Sequence, residues 1–445
     1  MKKYFIHTYG CQMNLHESEK VAGVLVDLGY AQADSEDKAD IIVFNTCCIR
    51  DTAEKRAFGN IGVVKRLKKI NKNLIIVVLG CMTKQDGYID IIKQKYPYVD
   101  IVLGTRNIDL LKDAVTKKLE EHKKTMTNDF GDDYLETDEK LPMFRDSYPN
   151  AWVNIIYGCN NFCSYCIVPY VRGREISRSM DDVLKEVRQC VADGYKEITL
   201  LGQNVNSYGN DLTDGTSFEK LLREIDKIDG KFRVRFMTSH PKDLTEGIAD
   251  AIANSKKICN NIHLPVQAGS NSVLSAMNRR YTREHYFSLI EMIRSKIPDC
   301  GITTDIMVGF PTETDNDFLD TVDLVKRCRF SNAFTFIYSP RKGTVAEKME
   351  QLPYSVKQAR IMELIKIQNQ ITKELSKEYK GNVYEILVED VQPKSEGYVC
   401  GRTESGRLVS FKGDKSLIGS FVNVKIETAK SASLFGSIVG DTPSE

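Results

Sequence analysis

At 445 residues the chain is long enough for two or three domains. With 42% hydrophobic and 28% charged residues it has the composition of a soluble globular protein; no apolar run approaches a bilayer span, and the residues after Met1 run into a strand pattern rather than a secretion signal. A net charge of +1 announces no nucleic-acid partner, and 12 cysteines without a secretion signal point to a reducing, cytoplasmic setting in which thiols bind metal rather than pair.

Residues 1–120 alternate strand and helix patterns. Strands are expected at Lys3–Thr8, Asp40–Phe44, Leu74–Leu79 and Ile101–Leu103. Helices are expected at Glu17–Leu28, Thr52–Lys69, Thr83–Lys95 and Leu110–Leu119. That βα order predicts a doubly wound parallel sheet. Three strands end alike, at Tyr9-Gly-Cys11, Asn45-Thr-Cys47 and Leu79-Gly-Cys81, and a parallel sheet delivers those ends to one edge. Read as residues alone, the three cysteines are equally a three-thiolate site or small buried side chains. Cys48 follows Cys47 directly, and in an extended chain only one of the two can face a common site. Residues 121–150 read as an acidic linker, with two basic against seven acidic side chains over residues 126–150.

Residues 151–376 form a second α/β segment. A short strand at Trp152–Ile156 runs into Cys159, Cys163 and Cys166, spaced C-x3-C-x2-C. A structural zinc site would need a fourth Cys or His at short spacing, and none is present. Three cysteines instead suit a cubane iron–sulfur cluster with one iron left open, and the spacing is too specific for chance clustering of buried thiols. Further strands are expected at Glu197–Leu201, Arg233–Met237, Asn261–Leu264, Thr303–Val308 and Ala333–Ile337, with helices between them. Six βα units predict an open (β/α)6 partial barrel. Polar, glycine-bearing loops follow the strands at Gly202–Asn206, Thr238–Pro241, Pro265–Ser270 and Gly309–Glu313. Turn chemistry explains any one of them; four at the same barrel end point to a ligand site. Two basic patches, Arg172, Arg174 and Arg178, and Arg279 and Arg280 ahead of Tyr281, suit phosphates and a stacked base, or else form internal ion pairs.

Residues 377–441 show five short strands separated by Gly or Lys-Gly turns, the pattern of a small β-barrel. A nucleic-acid face there would have to gather Arg402, Arg407, Lys412 and Lys415 on one side.

The C-x3-C-x2-C loop resembles that of the radical S-adenosylmethionine superfamily. Thr8-Tyr-Gly-Cys-Gln-Met-Asn14, Asn45-Thr-Cys-Cys-Ile-Arg50 and Leu79-Gly-Cys81 resemble the N-terminal domain of the methylthiotransferases. Gly401-Arg-Thr-Glu-Ser-Gly-Arg407 and Val409-Ser-Phe411 resemble the TRAM domain that closes the tRNA-modifying members. The resemblance covers essentially the whole chain and is strongest to the bacterial branch acting on N6-(dimethylallyl)adenosine at tRNA position 37. It implies two [4Fe-4S] clusters: one on Cys159, Cys163 and Cys166, whose open iron chelates S-adenosylmethionine, and an auxiliary one on Cys11, Cys47 and Cys81. Gly202, Gln203 and Asn204 would meet the cofactor's amino group, and Gly309 and Glu313 its adenosine. It implies insertion of sulfur at C2 of adenine followed by methylation, with two S-adenosylmethionine consumed. The partners implied are a tRNA anticodon loop bearing an isopentenylated adenosine and an electron donor such as flavodoxin or ferredoxin, acting on a monomer away from membranes. The alternatives are methylthiolation of threonylcarbamoyladenosine or of a ribosomal-protein aspartate, or an iron–sulfur RNA-binding protein without thiolation activity.

Overall fold

The structure is a computed structural model describing residues 1–48, 51–129, 139–393 and 395–440. Ile49, Arg50, residues 130–138 of the acidic stretch and the last residue expected in the third domain lie outside the described residues. The chain divides into two units, the first built from residues 1–146, 157–160 and 166–178, the second from 147–156, 161–165 and 179–445.

The first unit is a six-stranded sheet in the order Ala31–Gln32, Lys3–Thr8, Ile41–Thr46, Ile75–Gly80, Ile101–Leu103, Thr125–Thr127. Every neighbouring pair is parallel. Period-two alternation gives the sheet two apolar faces. Ile42, Phe44, Ile76, Val78 and Val102 pack with Ala57, Ile61 and Ile92 of two helices on one face. Ile41, Val43, Ile75, Val77 and Leu103 pack with Val21, Leu25, Leu111 and Val115 on the other. Strand order reverses between Lys3–Thr8 and Ile41–Thr46, the switch point beyond whose carboxyl ends such sheets hold ligands. The helix expected from Glu17 starts earlier, at Gln12, immediately after Cys11. Its first turns bury Asn14, His16, Glu17, Ser18 and Glu19 beside a single apolar side chain, Met13, so hydrophobic spacing does not reveal them.

In the second unit six parallel strands follow in chain order: Asn150–Asn154, Glu197–Leu201 and Arg233–Phe236, then Asn261–His263, Gly301–Val308 and Asn332–Ile337. A single parallel bridge, Val234 to Ile258, spans the break between the halves. Among the described residues no pairing joins the first strand to the last, so the barrel is open. The 24-residue helix Tyr354–Lys377 escapes a hydrophobic-period reading because Lys357, Arg360, Gln368 and Thr372 are buried on it beside Leu364 and Ile371.

Val383–Val391, Tyr398–Arg402, Leu408–Lys412, Phe421–Lys430 and Ser433–Ile438 close a barrel around Val388, Val409, Phe411, Val424 and Ile426. It docks on the buried arginines of strand Arg233–Phe236. Arg233 donates to the carbonyls of Arg402 (2.9 Å) and Glu385 (2.8 Å), and Arg235 to those of Thr403 (2.8 Å) and Glu404 (3.0 Å). A Cβ on Gly301 would lie 2.0 Å from the Ser405 carbonyl, so only glycine admits this loop. Of the four side chains expected on a basic face, Arg402, Lys412 and Lys415 are exposed and Arg407 is not. Arg407 is buried with its guanidinium over the Tyr379 ring, and Arg402, though exposed, is paired with Glu389.

Candidate functional site

Cys11, Cys47 and Cys81 all stand just past the carboxyl ends of sheet strands in the first unit. Asn14 laces those ends together, its amide donating to the carbonyls of Tyr9 (2.7 Å) and Thr46 (2.9 Å). Asn45 Nδ2 donates back to the Asn14 carbonyl at 2.8 Å, and Thr46 Oγ1 to that of Leu79 at 2.6 Å. Gly10, at φ +102°, makes room for the thiols: a Cβ there would lie 2.4 Å from Cys47 Cβ and 2.5 Å from its Sγ. Cys11 caps its helix and points its thiol at Asn14 Oδ1, 3.8 Å away. Burial pushes the Cys11 thiol up, against the opposing pull of Arg172. Cys81 is pulled down to about 7, chiefly by a hydrogen bond from the Cys48 thiol and further by Arg172.

Cys48 departs from expectation. It shares the buried cluster of Cys47 and Cys81 rather than turning to the opposite side. Strand pairing stops at Thr46, so the pleat no longer governs the two residues after it.

The arginines expected on RNA are largely turned inward. Arg172 is buried, with Nη1 2.7 Å from Glu17 Oε1, Nη2 2.8 Å from Asn14 Oδ1 and Nε 3.2 Å from Cys81 Sγ. Arg178 is buried against Glu139. In the second unit Arg279 is buried, with Nη1 3.4 Å from Cys163 Sγ, Nε 3.0 Å from Tyr281 Oη and Nη2 2.9 Å from the Pro265 carbonyl. A guanidinium desolvated this fully is unavailable to phosphate. Arg174 and Arg280 are exposed. Sequence reasoning missed Arg172 and Arg279 as thiol partners, because an arginine in a basic run reads as surface until burial is known.

Within the three-cysteine loop, Cys163 is buried, and Cys159 and Cys166 are half-buried. Gly158, at φ +72°, brings its backbone against the Arg174 carbonyl, where a Cβ would lie at 2.0 Å, and the Cys159 amide donates to the Gly173 carbonyl at 3.1 Å. Phe162 holds a left-handed φ of +47°, with Asn278 Nδ2 donating to its carbonyl at 2.9 Å.

At the carboxyl ends of the barrel strands, buried polar atoms lack protein partners among the described residues: Asn204 Oδ1, Asn206 Nδ2, Ser239 Oγ and His240 Nε2. The Lys242 amide donates to His240 Nδ1 (3.2 Å), which assigns the neutral ring's proton to Nε2. Asn204 Nδ2 is held by Asp243 at 2.7 Å. Gly202 faces Ile156, which would be 2.4 Å from an added Cβ. Gln203 is half-buried beside it. Glu313 is fixed by the Gly309 amide (3.0 Å) and Arg360 Nη1 (2.7 Å), and Gly309 turns at φ +73°. That pair holds its loop through Arg360, with the Glu313 carboxylate turned to protein groups.

Residues 153–325 match the Radical SAM superfamily, 3–104 the Uncharacterized protein family UPF0004 and 377–439 the TRAM domain. The tRNA-2-methylthio-N(6)-dimethylallyladenosine synthase of Thermoanaerobacter pseudethanolicus is 50% identical over 437 residues, 98% of this chain and 92% of that one. Those of Acetivibrio thermocellus and Carboxydothermus hydrogenoformans are 48% and 49% identical over 439 residues, again 98% of this chain, and 91% and 99% of theirs. The chain belongs to this synthase family.

Among solved structures, the radical S-adenosylmethionine methyltransferase TsrM from Kitasatospora setae, with cobalamin and a [4Fe-4S] cluster bound, shares the fold at TM-score 0.59 and 12% identity, over 91% of this chain and 82% of that one. Membership in the radical superfamily brings a [4Fe-4S] cluster and S-adenosylmethionine. The C-x3-C-x2-C loop fits such a cluster by its chemistry, since three cysteines can each ligate a different iron of a cubane. No disulfide joins the cysteines among the described residues, and the buried Asn204, Asn206, Ser239 and His240 atoms at the barrel mouth suit a polar ligand. Among the described residues no helix is long and apolar enough to cross a membrane.

Proposed function

We propose that the chain converts N6-(dimethylallyl)adenosine at position 37 of tRNA to its 2-methylthio derivative. The observation that carries this reading is identity of about half of all residues, across 98% of the chain, with synthases named for that product. It is supported by the three-cysteine loop at Cys159, Cys163 and Cys166 and by the strand-end cysteines Cys11, Cys47 and Cys81. The first set would hold the cluster that binds S-adenosylmethionine; the second would hold an auxiliary cluster.

When bound, the clusters and the cofactor supply electron transfer, hydrogen abstraction from adenine C2, and the sulfur and methyl group that replace that hydrogen. The chain's own residues position and desolvate. Arg279 presses on Cys163, and Asn204, Asn206, Ser239 and His240 offer donors and acceptors to a polar ligand at the barrel mouth. A tRNA loop suits such an enzyme because single-stranded bases can be splayed out. The remaining exposed arginines, Arg174, Arg280 and Arg402, are the candidates for phosphate contact. An electron donor such as flavodoxin or ferredoxin, a monomeric state and a cytoplasmic setting complete the reading.

The experiment is mass spectrometry of tRNA nucleosides from a deletion strain. Loss of the 2-methylthio nucleoside with gain of isopentenyladenosine, both reversed by the intact gene and not by Cys163→Ala, is the expected result. An unchanged nucleoside profile in the deletion strain would sink the assignment.

A further inference from the structure

We propose that the buried pair Arg172–Glu17 sets the charge beside the cluster on Cys11, Cys47 and Cys81 and thereby tunes its reduction potential. The inference rests on the auxiliary-cluster reading above and extends it to two residues that ligate nothing.

Arg172 ends the short helix Val168–Arg172, six residues after Cys166. Its guanidinium is buried, with Nε given to a cysteine sulfur and both Nη atoms reaching Glu17. Nε donates to Cys81 Sγ at 3.2 Å, Nη1 to Glu17 Oε1 at 2.7 Å, and Nη2 to Asn14 Oδ1 at 2.8 Å, with Glu17 Oε2 at 3.3 Å. Glu17 is buried on the helix that starts beside Cys11. Enclosing an arginine this completely is costly unless negative charge lies close by. Glu17 supplies one such charge. Neutralising Arg172 with Glu17 alone would not require aiming Nε at a cysteine sulfur. A cubane core ligated by three thiolates carries net negative charge and gains one more on one-electron reduction. A positive charge and an N–H···S bond both favour that more negative state. Glu17 opposes it from the other side of the guanidinium. The two side chains therefore act on the cluster with opposite sign, through Coulomb interactions that burial leaves poorly screened.

Opposite sign is what separates this from simple packing. The parent protein is the full chain carrying Cys159, Cys163 and Cys166→Ala, so that the N-terminal cluster is the only source of an iron–sulfur signal. Arg172→Gln, Arg172→Lys and Glu17→Gln are made in that parent and reconstituted anaerobically. Iron and sulfide are counted, and the midpoint is read by an EPR-monitored redox titration. Expected are a lower midpoint in Arg172→Gln, a higher one in Glu17→Gln, and an Arg172→Lys midpoint between Arg172→Gln and the parent. Should Arg172→Gln lose its iron, the upward shift in Glu17→Gln decides by itself. A parent that takes up no cluster would overturn the auxiliary-cluster reading. A parent with its cluster, whose midpoint is unmoved or lowered by Glu17→Gln, would overturn this proposal alone.

Discussion

His240 shows how a single residue at the barrel mouth is held in one protonation state. It is buried, and desolvation pushes its pKa down to about 2, helped by Arg279, Lys242 and Arg280. Its Nδ1 accepts the Lys242 amide and its backbone amide is held by Asn206 Oδ1 at 3.0 Å, so Nε2–H is a fixed donor throughout the pH range of an assay. Below about 6.5 the unfolded chain binds a proton on this histidine that the folded chain refuses, so stability falls as pH drops from about 6.5 toward the folded value. The slope approaches about 1.4 kcal/mol per pH unit, or about 2 kcal/mol by pH 5. His240→Gln should therefore lose less stability than the parent between pH 7.5 and pH 5 in denaturant melts. Equal losses in the two proteins would mean that the imidazole is not kept neutral by the fold.

At the scale of elements, the decisive feature of the first unit is the turn from strand Lys3–Thr8 into helix Gln12–Asp27. Gly10 at φ +102° lies where a side chain would strike Cys47, so the turn serves both backbone conformation and thiol space. Gly10→Ala should leave an N-terminal domain that still folds, at a cost of about 1–3 kcal/mol for the strained backbone, but should lose roughly one cluster's worth of iron. Retention of full iron and sulfide on anaerobic reconstitution would refute that role. This turn also shows what was legible beforehand. Strand ends, cysteine spacing and the parallel order follow from hydrophobic period and local motif, and the five strands of the C-terminal barrel follow from the Gly and Lys-Gly turns between them. The polar start of the helix after Cys11 and the mixed buried face of Tyr354–Lys377 do not, because tertiary hydrogen bonds rather than apolar stripes bury them. For the same reason Arg172 and Arg279 could not be told from surface arginines. Their partners are remote in sequence, Glu17 and Cys81 for one, Cys163 and Pro265 for the other.

At the scale of the whole molecule, the chain carries two three-cysteine sets whose chemistry should be separable. Cys11, Cys47 and Cys81 are gathered by strand ends of one doubly wound sheet, whereas Cys159, Cys163 and Cys166 share one eight-residue stretch of loop. The first set depends on a folded sheet for its convergence; the second depends mainly on chain proximity. If the loop set alone binds S-adenosylmethionine for cleavage, a Cys11/Cys47/Cys81→Ala triple variant should keep one cluster and still form 5′-deoxyadenosine with dithionite as reductant. It should fail to transfer sulfur to isopentenylated tRNA, because the site read here as the sulfur carrier is gone. A lost cluster can also unfold the sheet edge that held it. Circular dichroism and residual iron, near half that of the wild type, would establish that the variant is folded before activity is read. A folded triple variant that still makes methylthiolated tRNA would remove the N-terminal cysteines from sulfur delivery, and the division of labour between the two sets would fall with them.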